Sequence, residues 1–405
     1  MHGGCCALWR ANRRRAAWGR AAIGSTRRAH WCMYAAHGCL PAQMKNSTRA
    51  WISRVISSGH AGAGLEGLPL DVVLEEAAFE DVLPWLEWRL RDAVLPPEQR
   101  ASLSRAARTA AAQSLFREAE LRRVAKVLER HGIRALLLKG NALGQWLYPE
   151  PYLRVSSDID LLLASRAAAE QAAIACTELG YALDFLPAAS SFEMTSRLVV
   201  DGASRSELDL HCRLLDAAAY ADIFMFEELW RDAMPLPAFG SGLLALSPMH
   251  AFAHACLNRA LDMQIGEPDR LKLLVDIHLL AERMDAGAWQ QFLSMAAAKR
   301  ISGICLRTIS DTVDAFGSAV PADVLEALRK AAEAEPIDWR RLHDWRYMQW
   351  QNLKALPGTR AKLTWLWERV FLTHGHLRKL HGEGSWSTLM LRRMGRGLSR
   401  LRNKA

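Results

Sequence analysis

The segment LLLKGNALGQWLYPEPYLRVSSDIDLLL, from Leu136 to Leu163, is where the pattern of the chain changes. Upstream, apolar residues recur at helical spacing. Here Arg134 to Lys139 (RALLLK) is a short apolar run that reads as a buried strand. Gly140 begins a turn into a short helix, Asn141 to Leu147. Tyr148-Pro149-Glu150-Pro151-Tyr152 reads as a loop, because two prolines so close exclude a regular helix. Asp158 to Leu163 (DIDLLL) then reads as a second strand. Together these pieces predict a mixed α/β unit in the middle of the chain.

Three features of that unit bear on chemistry. A glycine at the Lys139-Gly140 turn lets the backbone approach a phosphate, and a helix N-terminus favours an anion. Strand-glycine-helix turns are nevertheless common. In a strand, residues two apart point the same way, so Asp158 and Asp160 project together. Ionised carboxylates side by side repel each other and need a cation or a proton; a solvated strand end is the alternative reading. Farther on, Glu207, Asp209 and His211 share one face of a strand, while Leu208 and Leu210 share the other. That polar face meets either solvent or a site. If the strand lies beside the first, Asp209 completes a three-carboxylate cluster. Such a cluster can hold two magnesium ions about 4 Å apart and align an attack on a phosphate.

The segment also resembles the uncharacterised nucleotidyltransferase family of the polymerase-β-like superfamily. The likeness is carried by Lys139, Gly140, Tyr148, Pro149, Arg154, Asp158, Ile159 and Asp160. A later D-L-H followed by Arg is matched by Asp209, Leu210, His211 and Arg213, and a looser helical part by His250, His254, Arg270, Val275 and Asp276. The likeness spans roughly residues 70–380. It implies transfer of a nucleoside monophosphate from a nucleoside triphosphate, ATP for example, to an acceptor, with Mg2+ as cofactor. Asp158, Asp160 and Asp209 would be the catalytic, metal-binding carboxylates. Lys139, Gly140, Asn141, Arg154, His211 and His254 would bind substrate. The wider superfamily usually has Gly-Ser where this chain has Gly140-Asn141; Asn141 can still donate to a phosphate oxygen. The acceptor is left open among a protein, a sugar, a small molecule and an RNA. A non-catalytic nucleotide-binding or RNA-binding protein that keeps the fold is the rival reading.

Outward from this unit the pattern is helical. Expected helices cover 72–83, a stretch after Pro84 to about Val94, one from Pro96-Pro97 through about Phe116 and another from about Glu118 to His131, which stops at Gly132. Past Asp158–Leu163 come a helix over 165–179 and strands at 181–185, 192–200 and 207–214. Asp201-Gly202 marks a hairpin with a loop longer than two residues. After Asp222, helices are expected near 222–232, 247–262, 268–284, 288–298, 300–316 and 321–333. The remainder is rich in Trp and Arg, and burial of Trp339, Trp345, Trp350, Trp365 and Trp367 is expected there. The fold class is therefore α+β: a small mixed β-sheet core with N-terminal helices and a C-terminal helical domain. The expected divisions are a disordered basic extension and linker (1–68), the core with its preceding helices (69–240), a helical domain (241–384) and a basic tail (385–405).

The net charge of +9 is uneven. Residues 1–65 hold 10 Lys/Arg and no acid, whereas 66–385 carry 36 basic and 43 acidic groups. The middle is acidic, so the basic balance is no argument for a nucleic-acid-binding core. Residues 1–43 read as translation from a wrongly chosen start, with Met44 the first residue; a basic arm or a transit peptide are the alternatives. No C-x-x-C pair occurs among the eight cysteines, which fits reduced thiols in a cytoplasmic protein. His30, Cys32, His37 and Cys39 read as an unstructured tail rather than a metal site. No run of about 18 apolar residues occurs, so no transmembrane segment is expected. His250 and His254, four apart on a helix, lack a third metal ligand nearby and read as core or cleft histidines. Asp276 reads as a site residue or as a buried carboxylate paired with Arg270.

Overall fold

Five residues of DIDLLL, Ile159–Leu163, are all buried, and they form the central strand of a sheet. The computed structural model describes residues 42–58, 65, 67–184, 188, 190–372 and 374–402. Among them are strands β1 (Ala135–Leu137), β2 (Ile159–Leu163), β3 (Tyr181–Leu183), β4 (Glu193–Val200), β5 (Ala203–His211), β6 (Met234–Pro235) and β7 (Leu243–Ala245). They make one seven-stranded sheet in the order β3-β4-β5-β2-β1-β7-β6. The pairs β2–β5 and β1–β7 are parallel and the others antiparallel, so the sheet is mixed.

The helices are α1 (Ala42–Ser58), α2 (Leu70–Phe79), α3 (Leu83–Arg89), α4 (Pro97–Arg130), α5 (Lys139–Trp146), α6 (Arg166–Ala175), α7 (Phe226–Arg231), α8 (Pro248–Ile265), α9 (Leu271–Ala281), α10 (Ala286–Lys299), α11 (Ser302–Phe316), α12 (Ala322–Ala332), α13 (Trp345–Ala355), α14 (Gly358–Val370), α15 (His374–His381) and α16 (Trp386–Arg402). Leu137, Leu161, Leu163, Leu208 and Leu210 pack with α4 and α6 on one face of the sheet. Leu136 and Leu162 look the other way, into a larger core built from the N-terminal and C-terminal helices. Alternation along β2 puts Asp160 on this second side. The α+β architecture expected from the sequence is thus present, and no described helix is long and apolar enough to cross a membrane.

Several boundaries differ from expectation. Helix α4 runs unbroken for 34 residues, because nothing at 116–118 interrupts its hydrogen bonding. The hairpin turn has only two residues: Val200 pairs with Ala203, while Asp201 and Gly202 both take positive φ (51° and 74°). Such mirror-image turns match the twist of the strands they join. Strand β2 begins at Ile159, leaving Asp158 just outside it. The short β6 and β7 were not anticipated, and β7 ties residues 243–245, assigned above to the helical domain, into the sheet.

Part of the expected N-terminal extension belongs to the fold. Trp51, Ile52, Val55 and Ile56 of α1 are buried in the larger core, and Arg49 pairs with the buried Glu80. The expectations for residues 1–41, including His30, Cys32, His37 and Cys39, lie outside the described residues; the described Cys176, Cys212, Cys256 and Cys305 are free and buried. Trp365 is buried as expected, but Trp345, Trp350 and Trp367 are about 60% exposed (60%, 58% and 62%), so burial fails for these three.

Candidate active site

The parallel register of β2 and β5 places Asp160 directly opposite Asp209. The antiparallel register of β4 and β5 then adds three cross-strand pairs: Glu193 with His211, Thr195 with Asp209, and Arg197 with Glu207. Each pair is in contact. Thr195 Oγ1 donates to Asp209 Oδ1 at 2.7 Å, Arg197 Nε lies 3.1 Å from Glu207 Oε2, and His211 Nδ1 lies 3.6 Å from Glu193 Oε2. The polar face read from Glu207, Asp209 and His211 is thus matched residue for residue by β4. Glu193 and Thr195 were missed as site residues, although Glu193, Thr195 and Arg197 alternate in the sequence just as clearly.

Asp160 is completely buried. Lys139 Nζ donates to its Oδ1 at 2.6 Å, and His211 Nε2 lies 3.0 Å from the same atom. Its Oδ2 is buried with no hydrogen-bond partner among the described residues. Burial alone would raise the Asp160 pKa, but Lys139 and His211 outweigh it and hold the carboxyl well below the usual range. Asp158 and Asp209 shift the other way. Burial first, then Asp160, raises Asp158. Burial first, then Glu193, Asp158 and Asp160, raises Asp209 well above the ordinary value. Asp158, Asp160 and Asp209 thus lie close enough to act on one another, and repulsion between like charges opposes ionising all three together.

Lys139 stands at the turn from β1 into α5 with φ of 51°, a left-handed conformation that is strained for a residue with a Cβ. The left-handed residue is the lysine; Gly140 beside it is not. Glycine at 140 makes room instead. A Cβ there would come within 2.7 Å of Arg154 Nη1 and 2.9 Å of Cζ. Arg154 cannot easily move aside. Its Nε and Nη2 donate to Asp276 Oδ1 and Oδ2 at 2.8 and 2.7 Å, Nη1 donates to Val155 O, and Tyr148 Oη donates to Asp276 Oδ1 at 2.7 Å. Asp276 is thus a buried carboxylate, but its partner is Arg154; Arg270 pairs with Asp81 instead. Gly140→Ala is expected to destabilise the protein by about 1–3 kcal/mol through this overpacking, seen as a lower melting temperature. An unchanged melt would show that the guanidinium yields freely.

Asn141 Nδ2 donates to Asp158 O and, at 3.2 Å, to Ser156 Oγ, fixing the loop that presents the acidic pair. Ahead of this loop lies a cleft of about 270 Å³, with α8 and α9 forming its far wall. Lys139, Gly140, Arg154, Asp158, Asp160 and His254 all line it. Asn141, Asp209 and His211 do not; the last two lie behind Asp160 in the sheet. His254 is buried, its Nε2 has no partner among the described residues, and burial, with help from Lys139, lowers its pKa to about 3. It is therefore a neutral imidazole. His250 lies apart, bonded through Nδ1 to Ser247 Oγ at 3.1 Å.

Sequence reasoning also missed Asn258, Asp262 and Lys272, which line the cleft from α8 and α9. They lie about 100 residues or more from the DID motif and carry no recognisable spacing. Asp262 is pushed up to about 6 by burial.

As placed, no three His, Cys, Asp or Glu side chains among the described residues are close enough to hold a metal ion. At the acidic loop the cleft presents two neighbouring carboxylates, Asp158 and Asp160, and Oδ2 of the latter is buried with no hydrogen-bond partner among the described residues. Hard oxygen donors in that number suit magnesium, which commonly takes one or two carboxylates and completes its shell with phosphate and water.

No curated protein matches the chain. A solved structure, that of an antigenic nucleotidyltransferase-like protein from Paracoccidioides brasiliensis, matches with 14% identity over 51% of this chain and 95% of that chain, at a TM-score of 0.31. The pattern of the uncharacterised nucleotidyltransferases matches residues 69–309, more than half of the sequence. On that match, the chain belongs to the uncharacterised nucleotidyltransferase family.

Proposed function

We propose that this protein transfers a nucleoside monophosphate from a nucleoside triphosphate to an acceptor hydroxyl. The observation that carries this reading is geometric: Asp158 and Asp160 line the cleft, Asp209 stands opposite Asp160 in the neighbouring strand, and Asp160 Oδ2 is buried with no hydrogen-bond partner among the described residues. A site built that way gains from a bound cation. In the reaction, the acceptor oxygen bonds to the α-phosphorus. The bond from that phosphorus to the oxygen bridging to the β-phosphorus breaks, and pyrophosphate leaves with the electron pair. The hydroxyl proton passes to a carboxylate, a task the family resemblance gives to Asp209, opposite Asp160 in the neighbouring strand. Magnesium held by Asp158 and Asp160 would neutralise phosphate charge and polarise the phosphoryl group.

The chain's own groups have separable tasks. Lys139 balances Asp160 in the free protein and turns to the triphosphate when it arrives. His211 holds Asp160 from behind, and Thr195 fixes the rotamer of Asp209. His254, neutral and unpartnered at Nε2, is free to hydrogen-bond the nucleotide. A second reading, nucleotide binding without turnover, is favoured by one observation. The ammonium of Lys139 already sits on Asp160, where it could serve in place of a metal.

Incubation with each labelled triphosphate, Mg2+ and host lysate separates the two. Wild type is expected to label an acceptor, and the Asp158→Ala, Asp160→Ala double variant is not. In parallel, Mg2+ and triphosphate together should raise the melting temperature, by about 2.7 kcal/mol of stabilisation at a hundred times Kd, and the double variant should lose this. A shift with triphosphate but no labelling under any condition would select binding without turnover.

A further inference from the structure

Behind the catalytic loop is a second hollow, of about 670 Å³, between α4 and the β4–β5 hairpin. Its lining includes Arg105, Arg108, Thr109, Phe116 and Arg117 from α4 and Arg205 from the hairpin, and no acidic residue. Residues 105, 108, 109 and 116 fall on one face of the helix. Arg105, Arg108 and Arg205 are exposed, and no ion pair or hydrogen bond engages their guanidinium groups among the described residues. A stretch that is acidic as a whole thus concentrates positive charge here. Phe116, 44% exposed, presents its ring among these arginines.

Arg117 joins this hollow to the acidic pair. It is 92% buried by its 8% exposure, its Nε donates to Ser157 O at 3.2 Å, and its Nη1 has no partner among the described residues. Ser157, next to Asp158, lines the first cleft. The two hollows therefore share a wall one residue from the carboxylates.

We propose that this second hollow seats the acceptor, and that the acceptor is a single-stranded nucleic acid ending in a free hydroxyl. Resting on the transfer reading above, the proposal names its acceptor class. Guanidinium groups suit backbone phosphates, and an exposed aromatic ring suits an unpaired base, which a duplex does not offer. The terminal hydroxyl attacks the α-phosphorus of the triphosphate, pyrophosphate leaves, and the strand grows by one nucleotide.

The test uses the full chain and a fluorescein-labelled 12-nucleotide single-stranded RNA, followed by anisotropy at several salt concentrations. The Arg105→Glu, Arg108→Glu, Arg205→Glu triple variant should weaken binding by about ten-fold or more and flatten the log–log salt slope by about 2. Phe116→Ala should weaken it by about five-fold or more. These side chains are exposed, so the variants should melt as wild type does. Arg396→Gln, Arg400→Gln, Arg402→Gln should leave binding unchanged. RNA binding that survives the groove variants, or that fails only in the tail variant, overturns the proposal. So does labelling of a non-nucleic-acid acceptor with no RNA binding, which leaves the transfer reading standing. The Asp158→Ala, Asp160→Ala variant should bind RNA as wild type does yet fail to extend it. RNA that is bound in the groove but never extended by wild type with any triphosphate would also sink it.

Discussion

Replacing Asp160 by Asn should reduce nucleotidyl transfer by about a thousand-fold or more, equivalent to about 4 kcal/mol of transition-state stabilisation. The substitution keeps the size of the side chain and removes its charge. In the wild type that charge is held by Lys139 and His211, which keep the carboxyl ionised although it is wholly buried. An amide cannot bind a divalent cation as a carboxylate does, and its NH2 group would face an ammonium or an imidazole. The fold should tolerate the change, because Asp158 is the second acid acting on Lys139 and retains its attraction. The measurement is initial rate with Mg2+ and the preferred triphosphate, alongside a melting curve. Loss of activity with a nearly unchanged melt is expected. Activity within ten-fold of wild type would mean that Asp160 serves only as the structural partner of Lys139.

The acidic site was legible because it is encoded in the shortest period the chain has. Asp158-Ile159-Asp160 and Glu207-Leu208-Asp209-Leu210-His211 each put polar and apolar residues on opposite sides, which identifies both a strand and its buried face. That the two strands are neighbours was only a condition in the sequence; the parallel β2–β5 register supplies it. Partnerships set by register were not legible. Pairing Thr195 with Asp209 requires knowing both that Asp201-Gly202 is a two-residue turn and that the register shifts by one residue at Arg205, between Leu198 and Val199; the turn alone would set Thr195 opposite Leu208. Strands of two or three residues, β6 and β7, are too short for any period to show. The walls of the cleft are harder still, since Asn258, Asp262 and Lys272 come from helices whose position depends on how the larger core packs. Gly140 shows a subtler limit. A glycine at a strand-to-helix turn suggested a phosphate approach, but the contact that fills its missing Cβ is the Arg154 guanidinium, and nothing local in the sequence announces that neighbour.

The second large effect is expected at Asp276, where removal of one carboxylate should cost about 3–5 kcal/mol of stability. Arg154 and Asp276 are each only 5% exposed at the side chain, and they meet in a two-pronged contact across 122 residues of sequence. Asp276→Ala takes from the buried guanidinium the carboxylate it bonds to, leaving only the more distant Asp81 charge, and takes the acceptor from Tyr148. In a unit of this size the loss corresponds to a melting temperature lower by about 10 °C. Asp276→Asn should be milder, because an amide oxygen can still accept from Tyr148 and Arg154 while its NH2 group opposes Nη2. The triple replacement Arg154→Leu, Asp276→Leu, Tyr148→Phe removes all three side chains of the network, and only the half-buried Val155 O loses a donor. It should melt well above Asp276→Ala. That variant also decides what Arg154 does. Arg154 lines the cleft, and the family resemblance marks it for phosphate, yet its Nε, Nη1 and Nη2 all already donate to Asp276 or Val155. If the guanidinium is a strut that fixes α9 against the catalytic loop, the triple variant should bind triphosphate within about three-fold of wild type, a change of under about 1 kcal/mol. A folded triple variant that binds triphosphate a hundred-fold more weakly would return Arg154 to the substrate.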